Sequence, residues 1–215
     1  MLPRIDDAHE GRPCVLVAHD GAGQVLGAAA LQRRTAPGPR VGEVAWLHCR
    51  EDPAAAAVLV QAVLERTADL GTVTAFGRPT PWPPHLPGVP LHNRPVTIEA
   101  FAAAGFRTRH QWLLLHRGHT AGDAPVGPTG APARSVPWIT PDGTLHTRRT
   151  VPPLPPPAHV RRQLLRRSLE VLDRAEAHEA LATVDLLGPD ASSCYDTLVR
   201  AGFEEVDLLR SLVLD

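Results

Sequence analysis

The sequence predicts an α/β protein made of two truncated units, each a mixed, mostly antiparallel sheet with a βαβ crossover. Three observations predict it. Apolar runs of strand length alternate with longer stretches at helical spacing in each half of the chain. A helix-length segment ending in Gly-Phe precedes a long apolar run twice, at Gly105-Phe106 and at Gly202-Phe203. A segment rich in Gly, Pro and Ala, "GHTAGDAPVGPTGAPAR", separates the halves. The expected organisation is an N-terminal unit over 1–117, a linker over 118–134 and a C-terminal unit over 135–215. The repeated order of elements reads as an internal duplication.

Composition narrows the class. The chain has 215 residues, enough for one large or two small domains. Aromatics are 4% of it, so the core must come from Leu, Val and Ala. With 22 basic and 23 acidic residues there is no basic footprint for nucleic acid. All the basic residues are Arg, which reads as a GC-rich genome rather than as function. Cys14, Cys49 and Cys194 are far apart, which argues against a disulfide framework or a zinc knuckle. No apolar run is long enough to span a membrane, and the charged N-terminus does not read as a signal peptide. A reducing cytoplasm is the expected setting.

The elements follow in order. Residues 1–13 are polar and read as an arm. "CVLVAHDGAGQVLGAAALQ" reads as a hairpin turning at Asp20-Gly21-Ala22-Gly23. "VGEVAWLHC" reads as a strand. Asp52 is a good N-cap, Pro53 suits the first helical position, and Ala54–Leu70 continues at helical spacing. Val58, Leu59, Ala62, Val63 and Thr67 form its predicted apolar stripe, and Gly71 its stop. "TVTAF" is the next strand. "GRPTPWPPHLPGVPLHNRP" reads as loop throughout. "VTIEAFAAAGF" is a short helix and "RTRHQWLLLHR" a closing strand. The second half opens with a hairpin, "SVPWITPDGTLHTRR", turning at Asp142-Gly143. A strand at Thr144–Val151, a rigid polyproline entry at Pro152–Pro157, a helix at Ala158–Ala177, a strand at Leu181–Leu187 and a helix at Ser192–Ala201 are expected next. A closing strand ends at Leu214.

The ending "DTLVRAGFEEVDLLRSLVLD", with the strand–loop–helix–strand order before it, resembles the C-terminal half of the Gcn5-related N-acetyltransferases. That family has a strand running into VxPxxRGxGxGxxLL and a helix, then a strand, a helix and a Gly-Phe turn. Laid on Val151, Pro153 falls on the family proline and Leu164 and Leu165 on its leucine pair. Pro156, Pro157, His159 and Arg161 stand where the family has Arg, Gly, Gly and Gly. The first hairpin is similar to the family's second and third strands, with Gly27 on the family glycine, and "VGEVAWLHC" to its fourth.

The resemblance implies transfer of an acyl group from acetyl-CoA, or another acyl-CoA, to the amine of a small molecule or peptide. Four parts would serve it. Strands four and five splay, and the pantetheine arm pairs with strand four. The pyrophosphate sits on backbone N–H groups at the following helix N-terminus. A strand-four N–H, often near a bulge, stabilises the oxyanion. A carboxylate or water takes the amine proton, and a Tyr four residues before the Gly-Phe glycine protonates the thiolate.

Carried residue by residue, this marks Leu47 and Cys49 at the strand end and Ala54, Ala55 and Ala56 at the helix start as cofactor-binding candidates. Glu51 and Asp52 beside them would repel a phosphate. Glu43 is the candidate general base, although a solvent-facing strand carboxylate is the blander reading. His48 adjoins the oxyanion position and is the second catalytic candidate; a packed strand end is its blander reading. Phe101 and Leu198 occupy the two Tyr positions, and Tyr195 is out of register. His159, Arg161, Arg162, Arg166 and Arg167 read as a phosphate-holding cluster or, more simply, as a solvated face pairing with Glu170. His116-x-x-His119 lacks a third ligand, so no metal is expected. The family's first strand and helices, which wall the acceptor site, are missing. That wall is open, comes from the other copy, or comes from a homodimer partner. The leading expectation is an N-acyltransferase; the other is a non-catalytic protein that keeps the fold for binding or oligomerisation.

Overall fold

The computed structural model describes residues 14–34, 41–77, 87–118, 138–139, 145–146, 158–175 and 179–215. They form two compact units. The first takes in the described residues up to 77, those from 87 to 111, and Leu209–Asp215. The second takes in Trp112–Leu208. The compact units are thus drawn differently from the expected N-terminal and C-terminal units: each takes in a strand segment from the other half of the chain.

In the first unit, β1 (Cys14–His19) and β2 (Val25–Arg34) form the expected hairpin. The Asp20 carboxylate closes the turn, accepting from the N–H groups of Ala22 at 2.9 Å and Gln24 at 2.8 Å. β2 pairs antiparallel with β3 (Val41–His48). α1 (Pro53–Thr67) then crosses over, and β4 (Thr72–Ala75) returns parallel to β3. Sequence sets the start of α1. Asp52 Oδ1 accepts the Ala55 N–H at 2.7 Å, and Pro53, lacking an N–H, takes the first helical position. Ala55, Ala56, Leu59, Val60, Ala62, Val63 and Thr67 are its buried face. Val58 is not part of it: it is 46% exposed, and Val60 takes its place. The face that meets the sheet is centred on Ala56, Leu59 and Val63, which puts Val58 on the outer flank.

The other side of β4 is taken by the end of the chain, since Leu212–Leu214 of β10 (Glu204–Leu214) pairs antiparallel with Val73–Ala75. β10 also pairs with a short strand, β5 (Val89–Pro90), in the stretch expected to be all loop. Pro90 is admissible there because a two-residue strand asks little of its ladder. Gly88 explains the turn into β5: its φ is +82°, and an added Cβ would lie 2.9 Å from the Arg210 backbone nitrogen. α2 (Pro95–Ala103) packs against α1, and Phe76, Phe101 and Phe106 stack edge-to-face through the core.

In the second unit, Trp112–Arg117 of β6 (Arg107–Arg117) pairs antiparallel with β9 (Ala180–Asp185). The expected hairpin is present as β7 (Trp138–Ile139) and β8 (Leu145–His146), two residues each. Its orientation corrects the sequence reading. The parallel partner of β9 is β7, not the strand expected at Thr144–Val151, and β8 lies on the far side of β7. The crossover therefore begins one strand earlier in the chain. α3 (Ala158–Arg174) buries Leu165, Ser168 and Leu172 and leaves Arg162, Arg166 and Arg167 in solvent. Glu170 pairs with Arg174 at 3.5 Å, both exposed. The polyproline entry at 152–157 and the side chains of His159 and Arg161 lie outside the described residues. α4 (Ala191–Arg200) completes the unit over a core of Leu115, Ile139, Leu165, Leu172, Val184, Leu198 and Phe203.

The two Gly-Phe ends are built alike. Gly105 has φ +90° and Gly202 φ +83°. The Phe106 N–H reaches back to Phe101 O at 3.0 Å, and Phe203 N–H to Leu198 O at 3.1 Å. Gly105 and Gly202 donate one residue further on, to Ala102 O and Val199 O, both at 3.0 Å. This pair of bonds needs a left-handed residue, hence Gly, and it brings the residue after Gly onto the residue five before it. Phe106 packs on Phe101 at 4.9 Å between ring centroids. Phe203 shares its core with Leu198.

Candidate functional site

The candidate site is the end of β3 and the turn into α1, within the first unit. β2 and β3 pair in register as far as Trp46, opposite Ala30; the next pair is Leu31 with Val44. Ala45 is therefore an extra residue, a β-bulge. The bulge reverses the alternation of the strand. Before it, Val44 belongs to the core under α1, and an added Cβ on Gly42 would meet Thr67 and Leu70 of that side. After it, Leu47 and Cys49 belong to that core. Glu43, Trp46 and His48 are thereby gathered on the opposite face of one strand. The parallel ladder with β4 ends at the same place: its last pair is Val44 with Ala75, while β3 continues to His48. Phe76, at φ +58°, leaves the sheet after donating to Val44 O at 2.9 Å.

Beyond Cys49 the chain turns through two consecutive left-handed residues, Arg50 at φ +49° and Glu51 at φ +54°. That turn throws the Glu51 carboxylate away from α1 and onto the start of α2. Its Oε2 accepts the Thr97 N–H at 3.1 Å, and its Oε1 accepts the Thr97 hydroxyl at 2.7 Å. Arg94, the N-cap of α2, donates to Glu51 Oε1 at 3.4 Å and to His48 Nδ1 at 2.8 Å. The Thr97 proton is committed to Glu51, so in the 3.6 Å contact between them the Cys49 thiol donates to the Thr97 oxygen. His48 stacks obliquely on Trp46 at 5.5 Å. Burial first, and then the Arg94 guanidinium, hold the His48 ring below the usual imidazole range.

These contacts revise several expected roles. Glu43 is not solvent-facing: it is 3% exposed, because β3 is flanked on both sides, by Gln32 on β2 and Thr74 on β4. Glu51 does not crowd the N-terminus of α1, since α2 has claimed it. Asp52 does. Pro53 has no N–H, Ala55 donates to Asp52 Oδ1, and Ala56 donates to Asp52 O at 2.9 Å. Ala54 is left as the donor of the first turn, and its side chain is exposed while those of Ala55 and Ala56 lie in the core. The side chains of Leu47 and Cys49 are core groups too, so any part they take in binding is through backbone. Phe101 and Leu198, at the Tyr positions, are 0% and 1% exposed. Tyr195 donates to Glu205 on the surface of the second unit at 2.6 Å. Arg94 was not among the sequence candidates. The available signal was Pro95, which marks Arg94 as the residue before a helix.

No protein-family model matches the sequence, and no curated protein matches it. Solved structures do match its fold. One is a GCN5-related glucosamine N-acetyltransferase region of a fungal multi-domain GH3 β-N-acetylglucosaminidase, with TM-score 0.53 and 12% identity over 94% of this chain. This chain spans 33% of that protein. The fold is that of the GCN5-related N-acetyltransferases. A GCN5-related N-acetyltransferase from Sphaerobacter thermophilus is similar over 93% of this chain and 80% of its own, at 13% identity and TM-score 0.49. A tandem GNAT protein from the clavulanic acid biosynthesis pathway is similar over 94% and 82%, at 17% identity and TM-score 0.49. Among the described residues, no group of three His, Cys, Asp or Glu is placed to hold a metal, and no helix is long and apolar enough to cross a membrane.

Proposed function

We propose that the chain is an acyl-CoA-dependent N-acyltransferase whose acyl-CoA site is in the first unit. The observation that supports this is the bulged β3 running on past the end of its ladder with β4. A strand edge beyond the last ladder pair among the described residues, beside a bulge, is what a pantetheine amide needs as a hydrogen-bonding partner and what a thioester carbonyl needs as an oxyanion donor. In the reaction the amine nitrogen attacks the thioester carbonyl carbon, and the C–N bond forms as the carbonyl becomes an oxyanion. Collapse breaks the C–S bond and releases the coenzyme A thiolate. The amine proton passes to Glu43 directly or through water, and the thiolate takes a proton from water in place of the absent Tyr. The two Gly-Phe units are proposed to be copies of one ancestral unit. A non-catalytic reading, in which the chain keeps the fold for binding, draws on the Asp52 cap and on the buried Phe101 and Leu198.

Coenzyme A titration separates these readings. Asp52→Asn keeps a capping side chain but removes the charge facing an incoming pyrophosphate. Tighter calorimetric binding by Asp52→Asn than by wild type, with Arg161→Ala unchanged, is the expected result. Loss confined to Arg161→Ala would move the site to the C-terminal copy. Heat of binding in none of the three would leave the non-catalytic reading standing.

A further inference from the structure

We propose that Arg94 is a positioning residue that holds His48 as a hydrogen-bond donor, its proton on Nε2, at the end of β3 beyond its last ladder pair with β4. This rests on the acyltransferase reading for its purpose, but not for its geometry. A guanidinium carries only donors, so the 2.8 Å contact from Arg94 to His48 Nδ1 requires Nδ1 to accept. A ring that accepts at Nδ1 and is neutral carries its proton on Nε2. His48 in this form is a poor base and a good donor. It lies three residues past the bulge, on the face that carries Glu43, where a thioester oxyanion would need a second donor beside the strand N–H.

Arg94 is itself fixed. Glu51 holds its other nitrogen at 3.4 Å, and both Glu51 oxygens are anchored on Thr97, which is fully buried. The left-handed turn at Arg50 and Glu51 is what allows a carboxylate from the α1 side to reach the α2 side. The charged group in contact with the ring is Arg94 from α2, and Glu51 from the adjoining turn reaches it through Arg94; opposite it on β2 is the uncharged Ala28. Removing Arg94 therefore takes away the cation in direct contact with the ring.

The test is NMR titration of the His48 ring in wild type, Arg94→Ala and Arg94→Lys, with assignment by His48→Gln. Wild-type His48 should titrate below free histidine, with its proton on Nε2 in the neutral form. Arg94→Ala should titrate at higher pH, and Arg94→Lys, which restores a cationic donor, should return toward wild type. Identical titration of wild type and Arg94→Ala, or a wild-type ring protonated at Nδ1, would overturn the proposal. Acetyl transfer from acetyl-CoA to a panel of amines is the parallel readout. There, His48→Ala should lower kcat about 100-fold, and Arg94→Ala should lower kcat more than it raises the acetyl-CoA KM. If the ring titrates as expected but no protein transfers acetyl groups, the positioning stands and the acyltransferase reading falls.

Discussion

Phe101→Ala is expected to destabilise the first unit by about 3–5 kcal/mol, the usual cost of emptying a fully buried aromatic site. Phe101 is 0% exposed and touches two other rings edge-to-face, Phe76 at 5.3 Å and Phe106 at 4.9 Å. Its backbone carbonyl also receives the Phe106 N–H that ends α2. Truncation would leave a cavity between a helix and a strand start that the Gly105 turn holds at fixed spacing, so collapse around it is restricted. Guanidinium unfolding of wild type and variant measures the effect, with Val58→Ala, on the outer flank of α1, expected to stay within about 0.5 kcal/mol. Phe101→Tyr would place a hydroxyl among these rings. It should destabilise by about 1–3 kcal/mol and should not raise acetyl transfer. A Phe101→Ala cost below 1 kcal/mol would mean that this core is not packed as described.

Much of this architecture was legible in local sequence. Asp52 followed by Pro53 fixed the start of α1, and the Gly-Phe pairs fixed the ends of α2 and α4, because capping is decided by a few adjacent residues. The hairpin at Asp20 was legible for the same reason. What escaped was non-local. Nothing in "RSLVLD" says that it pairs with Val73–Ala75 rather than within its own half of the chain, and nothing in "VPWIT" says that β7, not the next strand, lies beside β9. The site was half legible. His48 and Glu43 were named as candidates, but the bulge at Ala45 is invisible in "VGEVAWLHC", and without it the two side chains would fall on opposite faces. Arg94 is 46 residues from His48 and sits in a proline-rich stretch, where its role depends on a turn conformation that no residue type announces. Glu51, taken as an obstacle to phosphate, has its carboxylate bonded to the start of α2 instead.

Gly27 carries the second large effect. It lies on β2 beside the end of β3, where Ala28 pairs with His48. A Cβ at this position would stand 2.6 Å from His48 O, 3.0 Å from the Cys49 Cα and 3.0 Å from Leu59 Cδ1. Two of the three obstacles are backbone, which cannot rotate aside. Either β2 separates from β3, or the strand end carrying His48 and Cys49 shifts toward α1, where Leu59 is already 1% exposed. Gly27→Ala should therefore cost about 1–3 kcal/mol and Gly27→Val more, whereas Gly21→Ala, in the open turn of the same hairpin with nothing within 4 Å, should be nearly neutral. The site should be displaced along with the strand. In Gly27→Ala at temperatures where it remains folded, the His48 ring should lose the perturbed titration expected of wild type, even though Arg94 is intact. Full stability with an unchanged His48 titration would show that β2 and β3 are further apart than this geometry requires, and the close approach beneath α1 would have to be abandoned.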